Sequence, residues 1–304
     1  MNLGQLKYAL AVAETSSFSR ASERCFVTQP SLSNAISQLE EEFGGRLFHR
    51  TTHSVSLTPF GERMLPHIAA VLDALSELER TAKDLVEPAQ KLIRIGFSPL
   101  VDLQLLAAVL EPFKLANKEV EIVMKECFLG ELRDRLAQHK IDVLFVPEGF
   151  EMRFAGKATF YSDDMCFIPR SGSGYDQAGP SVKLEDVSDE VFTITGEGCG
   201  LAIALREIFR ASGYEFRQYA GQAVNYSVLE DWASLGIGST ILPRSKISKK
   251  NSAARPLLLK NGDPASVKFE TVWNKRSPQP AHIKELLQYF RKLAPEYLKG
   301  LRSG

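Results

Sequence analysis

No stretch of the 304 residues approaches the run of about 18 apolar residues that a membrane-spanning helix needs, so no membrane partner is expected. The opening "MNLGQLKYALAVAETSSF" also lacks the basic start and cleavable apolar core of an export signal; the expectation is a cytoplasmic protein. Cysteine is scarce. Cys25, Cys127, Cys166 and Cys199 are scattered with no C-x-x-C pair, which argues for free thiols in a reducing compartment. The five histidines, His49, His53, His67, His139 and His282, have no metal-ligand spacing, and neither G-x-S-x-G nor a phosphate-binding P-loop is present. These absences leave an enzyme without a recognisable centre, and no cofactor or metal is expected. Net charge is equally silent: 37 basic and 37 acidic residues cancel, so a nucleic-acid surface has to come from local segregation of charge. What is present, 44% hydrophobic and 24% charged residues, suits an ordinary globular chain long enough for two or three compact units.

The first sixty residues read as three helices and a hairpin. Asn2 and Gln5 have capping-box spacing, and Leu3, Leu6, Leu10 and Ala13 then recur on one helical face. Ser17 or Ser19 starts a second short helix. Thr28 caps a third, with Pro30 tolerated in its first turn, Leu32, Ala35, Ile36, Leu39 and Phe43 on one stripe, and Gly44–Gly45 as its stop. The spacing predicts a helix-turn-helix over about 18–37. The third helix opens polar but uncharged, so Thr28, Gln29, Pro30, Ser31, Ser33 and Asn34 form the candidate DNA-reading end. Gln and Asn suit bidentate contacts to adenine. Glu40, Glu41 and Glu42 are held about two turns further on, away from phosphates. "RLFHRTTHSVSLT" reads as a two-stranded wing in which Arg46, Arg50 and His53 contact backbone or minor groove. The bland competitor is a solvated amphipathic helix beside an ordinary hairpin. Five basic and five acidic residues balance over 1–60, so groove fit and dimerisation must carry binding, with a shallow salt dependence.

The segment "SFSRASERCFVTQPSLSNAISQLEEEFGGRLFHRTTHSVSLTPFGERML" resembles the winged helix-turn-helix of the LysR-type transcriptional regulators. The resemblance rests on Gln29-Pro30-Ser31-Leu32-Ser33, Gln38-Leu39-Glu40, Leu47-Phe48-x-Arg50 and Leu57-Thr58-x-x-Gly61. It implies a regulator that binds double-stranded promoter DNA at an interrupted palindrome, responds to a small-molecule effector and works with RNA polymerase. Asn34 stands where the family usually has a basic residue, and His53 where Arg or Lys is common.

On this reading residues 1–58 are the DNA-binding domain and 59–88 a linker helix. Thr58-Pro59 starts the linker, Leu65, Ile68, Leu72 and Leu75 follow 3-4-3 spacing, and Leu78, Ala82 and Leu85 continue after one slip. Such a seam predicts a dimer, and the resemblance implies a dimer of dimers; Pro66 should bend the helix. From 91 to 304 strands and helices alternate, which argues for a parallel α/β sheet. This half resembles the two-lobed, periplasmic-binding-protein-like (type 2) effector domain of the same family. Lobe I is then about 91–161 and 267–304, and lobe II about 162–266.

In two-lobed α/β units ligands sit at strand C-termini and helix N-termini. That places Ser98, Pro99, Leu100, Val146, Pro147, Gly198, Cys199, Gly200 and Asn225 around an effector cleft, with a small anion favoured at the helix starts. Leu129 occupies the place where many relatives have a Ser or Thr, which implies a pocket more apolar than usual or one that opens differently. Gly196-x-Gly198 imitates a dinucleotide fingerprint, but Glu215 precedes its strand instead of ending it. Two further readings stay open. Cys199 lies where peroxide-sensing relatives carry a reactive thiol, although Ile208 stands at their second cysteine's spacing; and the α/β half alone would suit a solute-binding protein.

Overall fold

The computed structural model describes residues 1–50, 55–86, 91–152, 155–175, 179–275 and 279–292. It divides into an N-terminal unit over Met1–Pro88 and a C-terminal unit over Ala89–Lys275 and Gln279–Gly304.

The N-terminal unit runs α1 (Leu3–Thr15), α2 (Phe18–Arg24), α3 (Gln29–Phe43), β1 (Phe48–Arg50), β2 (Val55–Leu57) and α4 (Pro59–Val86). Local chemistry sets each start. Asn2 and Gln5 make a reciprocal capping box, Ser17 caps α2, and Thr28 caps α3 ahead of Pro30. Gly44 ends α3 at φ 68°, a left-handed value that glycine adopts without cost. Leu32, Ile36 and Leu39 of α3 pack with Leu6, Ala9, Val12 and Ala21 into a dry core, closed by an edge-to-face pair of Phe18 and Phe48. The buried face of α1 is rotated from the expected one: Gln5, Leu6, Ala9 and Val12 turn inward while Leu3 is exposed. Three helices contact α1, and the small Ala9, fully buried, suits that close approach.

The linker seam divides in two. Leu65 and Ile68 are buried in the N-terminal unit itself and Leu72 packs against the same core, whereas Leu78 is exposed.

The C-terminal unit contains β3 (Lys91–Phe97), α5 (Leu103–Ala116), β4 (Val120–Glu126), α6 (Leu129–Ala137), β5 (Val143–Pro147), β6 (Ala155–Ile168), β7 (Val182–Lys183) and α7 (Leu184–Val187). It continues with β8 (Phe192–Thr195), α8 (Leu201–Ala211), β9 (Gln218–Ala223), α9 (Tyr226–Ser234), β10 (Thr240–Pro243), β11 (Arg255–Leu258), β12 (Ser266–Asn274) and α10 (Ala281–Lys292). Strands β4, β3 and β5 are parallel, as alternation predicts. The wholly parallel expectation fails at β12 and β6, which join antiparallel and carry the sheet onward in the order β4-β3-β5-β12-β6-β11-β7. β6 pairs with β12 up to Asp164 and with β10 from Met165, so one long strand passes between the lobes and β12 returns. The second lobe adds a parallel β8–β9 pair, tied to the chain before β10 by a bridge from Phe192 to Ser239. Phe145, Phe160 and Phe290 pack edge to face on the first lobe's side; on the second's, Phe209 meets Phe192 and Phe216 edge to face while those two rings stack.

Candidate functional site

The N-terminal end of α3 presents a polar, uncharged surface. Thr28, Gln29, Pro30, Ser31 and Asn34 are exposed, and Ser33 is half-buried. Thr28 and Ser31 hydroxyls lie 2.8 Å apart, and Ser19 Oγ donates to Gln29 Oε1 at 3.0 Å, so α2 fixes the Gln29 amide before any ligand arrives. No acidic side chain lies in the first turn.

Glu40 has a role that charge patterning alone does not reveal. It is nearly buried: Oε1 accepts from the backbone N–H groups of Leu47 and Phe48 at 2.8 and 3.1 Å, and Oε2 accepts from Arg50 Nη2 at 3.0 Å. This carboxylate clasps the start of β1 to α3. Arg50 is engaged as well, donating to Ser33 Oγ at 3.0 Å and lying 4.5 Å over the Phe18 ring. Its guanidinium is thus a strut between α3 and β1 as well as a candidate phosphate contact. Arg24 pairs with Glu14 at 2.8 Å, which removes a second cation from the free surface. His53 lies outside the described residues. Phe26, at the turn before α3, is 95% exposed at φ 55°, a conformation that an aromatic residue adopts at a cost.

In the C-terminal unit Ser98 meets Cys199, and Gly200 meets Pro147 and Leu129, as a closed seam instead of an open cleft. Ser98, Leu100, Val146 and Cys199 are buried, and Ser98 Oγ donates to the Cys199 carbonyl at 2.6 Å across the lobes. Pro99 is half-buried beside them. A methyl group added to Gly200, at φ 94°, would lie 2.6 Å from Pro147 Cγ and 3.3 Å from Leu129 Cδ1; one added to Gly198 would lie 2.9 Å from Phe128 Cβ. The turn over 198–200 therefore needs its glycines to press against the first lobe. Neither α6 nor α8 has a side-chain cap, so two bare helix N-termini meet at this seam. Asn225 is exposed and acts as the cap of α9, accepting from Val228 N at 3.1 Å.

The Cys199 thiol is 2.8 Å from Thr195 Oγ1, and Tyr226 has its hydroxyl buried beside both. Burial, then Cys199, pushes the Tyr226 phenol up. Next in line is a residue that sequence reasoning did not select. Lys246 is half-buried, with Nζ donating to the Val101 carbonyl at 2.7 Å and lying 5.8 Å from the Tyr226 ring centre. Burial holds its ammonium below the ordinary lysine value, opposed by Asp102, Glu126 and Asp163. A cavity of about 770 Å³ opens beside it, lined by Asp102, Gln104, Arg244 and Lys249 among others. No spacing rule marks Lys246, because its partners are brought to it only by the crossing of the lobes. Among the described residues no group of histidine, cysteine and carboxylate side chains could hold a metal ion, and no helix is long and apolar enough to cross a membrane.

Residues 3–62 match the bacterial regulatory helix-turn-helix model of the lysR family, and residues 87–295 match the LysR substrate-binding domain. The chain belongs to the LysR family. It is a DNA-binding transcriptional regulator with an effector-binding domain. The transcriptional dual regulator GltC of Bacillus subtilis (strain 168) is 26% identical over 82% of this chain and 83% of its own. A probable hydrogen peroxide-inducible genes activator of Streptomyces viridosporus is 27% identical over 87% of this chain and 85% of its own. Among solved structures, full-length CbnR complexed with its target DNA aligns with a TM-score of 0.55 at 20% identity, covering 97% of this chain and all (100%) of that one. At that identity the likeness speaks for the LysR fold alone.

Proposed function

We propose that Thr28, Gln29, Pro30, Ser31, Ser33 and Asn34 read promoter DNA in the major groove, in duplicate, and that a small anionic effector bound between the lobes of the C-terminal unit sets the output. The observation that carries the DNA half is the exposed, acid-free start of α3, with Gln29 already held by Ser19. Arg50, with the wing, meets the backbone, and the exposed apolar residues Val71 and Leu78 of α4 support pairing of two chains, and pairing of two such dimers gives a tetramer. The relatives' action as transcription regulators supports a cytoplasmic site of action, contact with RNA polymerase and no catalytic role. Buried Cys199, bonded to Thr195, favours an effector over direct oxidation of this thiol.

The test is a gel shift of the full chain on the DNA upstream of its own gene, repeated with a panel of small organic acids. A specific shift altered by one acid is the expected result; no specific shift counts against the assignment. Two further outcomes follow from the geometry. Ser98→Ala leaves the Cys199 carbonyl without its donor, a loss of about 1–3 kcal/mol in the C-terminal unit. It should blunt the effector response without changing affinity for DNA; abolished DNA binding would mean the two halves do not divide the labour this way. With Arg24 and Arg50 engaged internally, the slope of log affinity on log salt should be shallower than about −5, and a steeper slope would require phosphate contacts beyond this surface.

A further inference from the structure

The cavity beside the seam is built from both lobes. Asp102 and Gln104 come from the start of α5 in the first lobe, and Arg244, Lys246 and Lys249 from the turn after β10 in the second. At about 770 Å³ it is of the size that holds small metabolites. Three basic side chains against the one lining carboxylate, Asp102, leave a net lining charge of two positives. Asp102 is itself committed to α5, accepting from Gln104 N and Leu105 N at 3.0 and 3.1 Å. The nearby Asp163 accepts from Ser245 N at 3.4 Å, outside the lining.

Lys246 is the member that makes this more than a basic patch. Its stem and ammonium are half-buried, and its one acceptor among the described atoms is a neutral carbonyl, Val101 O, on the opposite lobe. A charged acceptor in the cavity would form a stronger bond with the same ammonium than a carbonyl does. Lys246 thus ties the lobes together on one side, as Ser98 does at the seam, and the Lys246 tie is the one a ligand can compete for.

Resting on the effector reading above, we infer that this cavity binds a small hydroxylated dianion, a hydroxy-dicarboxylate or a phosphate monoester, and that Lys246 exchanges the Val101 carbonyl for the ligand's charge. Ligand occupancy is thereby read as release of one interlobe tie. Arg244 and Lys249 supply the second charge, and the Gln104 amide and Ser245 hydroxyl the hydrogen bonds that select a hydroxylated molecule.

Calorimetry on the full chain with malate, glycerol phosphate and acetate tests this. Saturable binding of malate or of glycerol phosphate, with acetate silent, is expected, and which of the two binds identifies the source of the charge. Lys246→Met and the surface variant Arg244→Gln should each weaken that binding about tenfold or more. Thermal melts check that both remain folded, and Lys246→Arg should recover part of the loss. Binding of neither dianion, acetate binding as well, or binding indifferent to both substitutions would overturn the inference. If Ser98→Ala abolished binding while Lys246→Met and Arg244→Gln did not, the anion would sit in the seam: this inference would fall and the effector reading would stand.

Discussion

Replacing Glu40 with alanine should detach the wing from the recognition helix and lower DNA affinity by about a hundredfold or more. The carboxylate satisfies two backbone N–H groups, of Leu47 and Phe48, and is the charge partner of Arg50. Removing it leaves those donors buried without an acceptor and a guanidinium without its anion, a combined cost of about 3–5 kcal/mol. That is a large part of the stability of a domain this small. Arg50 would then also lose the anchor that aligns it with Ser33 and Phe18. Glu40→Gln keeps one acceptor oxygen but turns an amide donor toward Arg50, so it should fall between. Thermal denaturation and a gel shift of the same preparations check both effects. A Glu40→Ala protein that melts and binds as the parent does would mean the clasp is dispensable.

Gly61→Ala is the second large effect expected. The added methyl carbon would lie 2.1 Å from the Leu47 carbonyl oxygen and 2.9 Å from its carbon, both backbone atoms that side-chain rotation cannot move. That carbonyl also accepts from Thr58 N at 3.0 Å, so retreat of the strand would break the junction between wing and linker helix. Overpacking against fixed backbone costs about 2–3 kcal/mol or more. Gly130→Ala supplies the contrast. Nothing lies within 4 Å of its added carbon, and alanine favours the helical state, so stability should be unchanged or rise by about 0.5–1 kcal/mol. Comparable melting of the two variants would remove the steric explanation.

The two substitutions also mark what the sequence makes legible. Caps and stops are local, so Asn2 with Gln5, Thr28 with Pro30, and Gly44 announce α1 and α3 without the fold. The motif Leu57-Thr58-x-x-Gly61 is visible as a pattern, but its reason, a backbone carbonyl against Gly61, needs the packed wing. Glu40 reads as one of three solvated acids because its partners lie seven to ten residues on and come within reach only once the chain has turned. Strand β6 is hard to see for another reason: Ser162, Asp163 and Asp164 interrupt its apolar pattern where it crosses between lobes. Strand ends and helix starts mark Ser98, Pro147 and Gly200 in the sequence, yet their closure against one another is a matter of close packing. Lys246 and Arg244 had no local signal at all.

On the proposed function the first turn of α3 lies against base pairs, presented twice. Selection of binding sites from a random duplex pool, run in parallel with the full chain and its Gln29→Ala variant, tests that most directly. An interrupted palindrome is expected from the parent, with the variant losing preference at one symmetry-related position in each arm, at about 1–3 kcal/mol per lost bidentate contact. Identical motifs from both proteins, or a parent motif without two-fold repetition, would contradict the account.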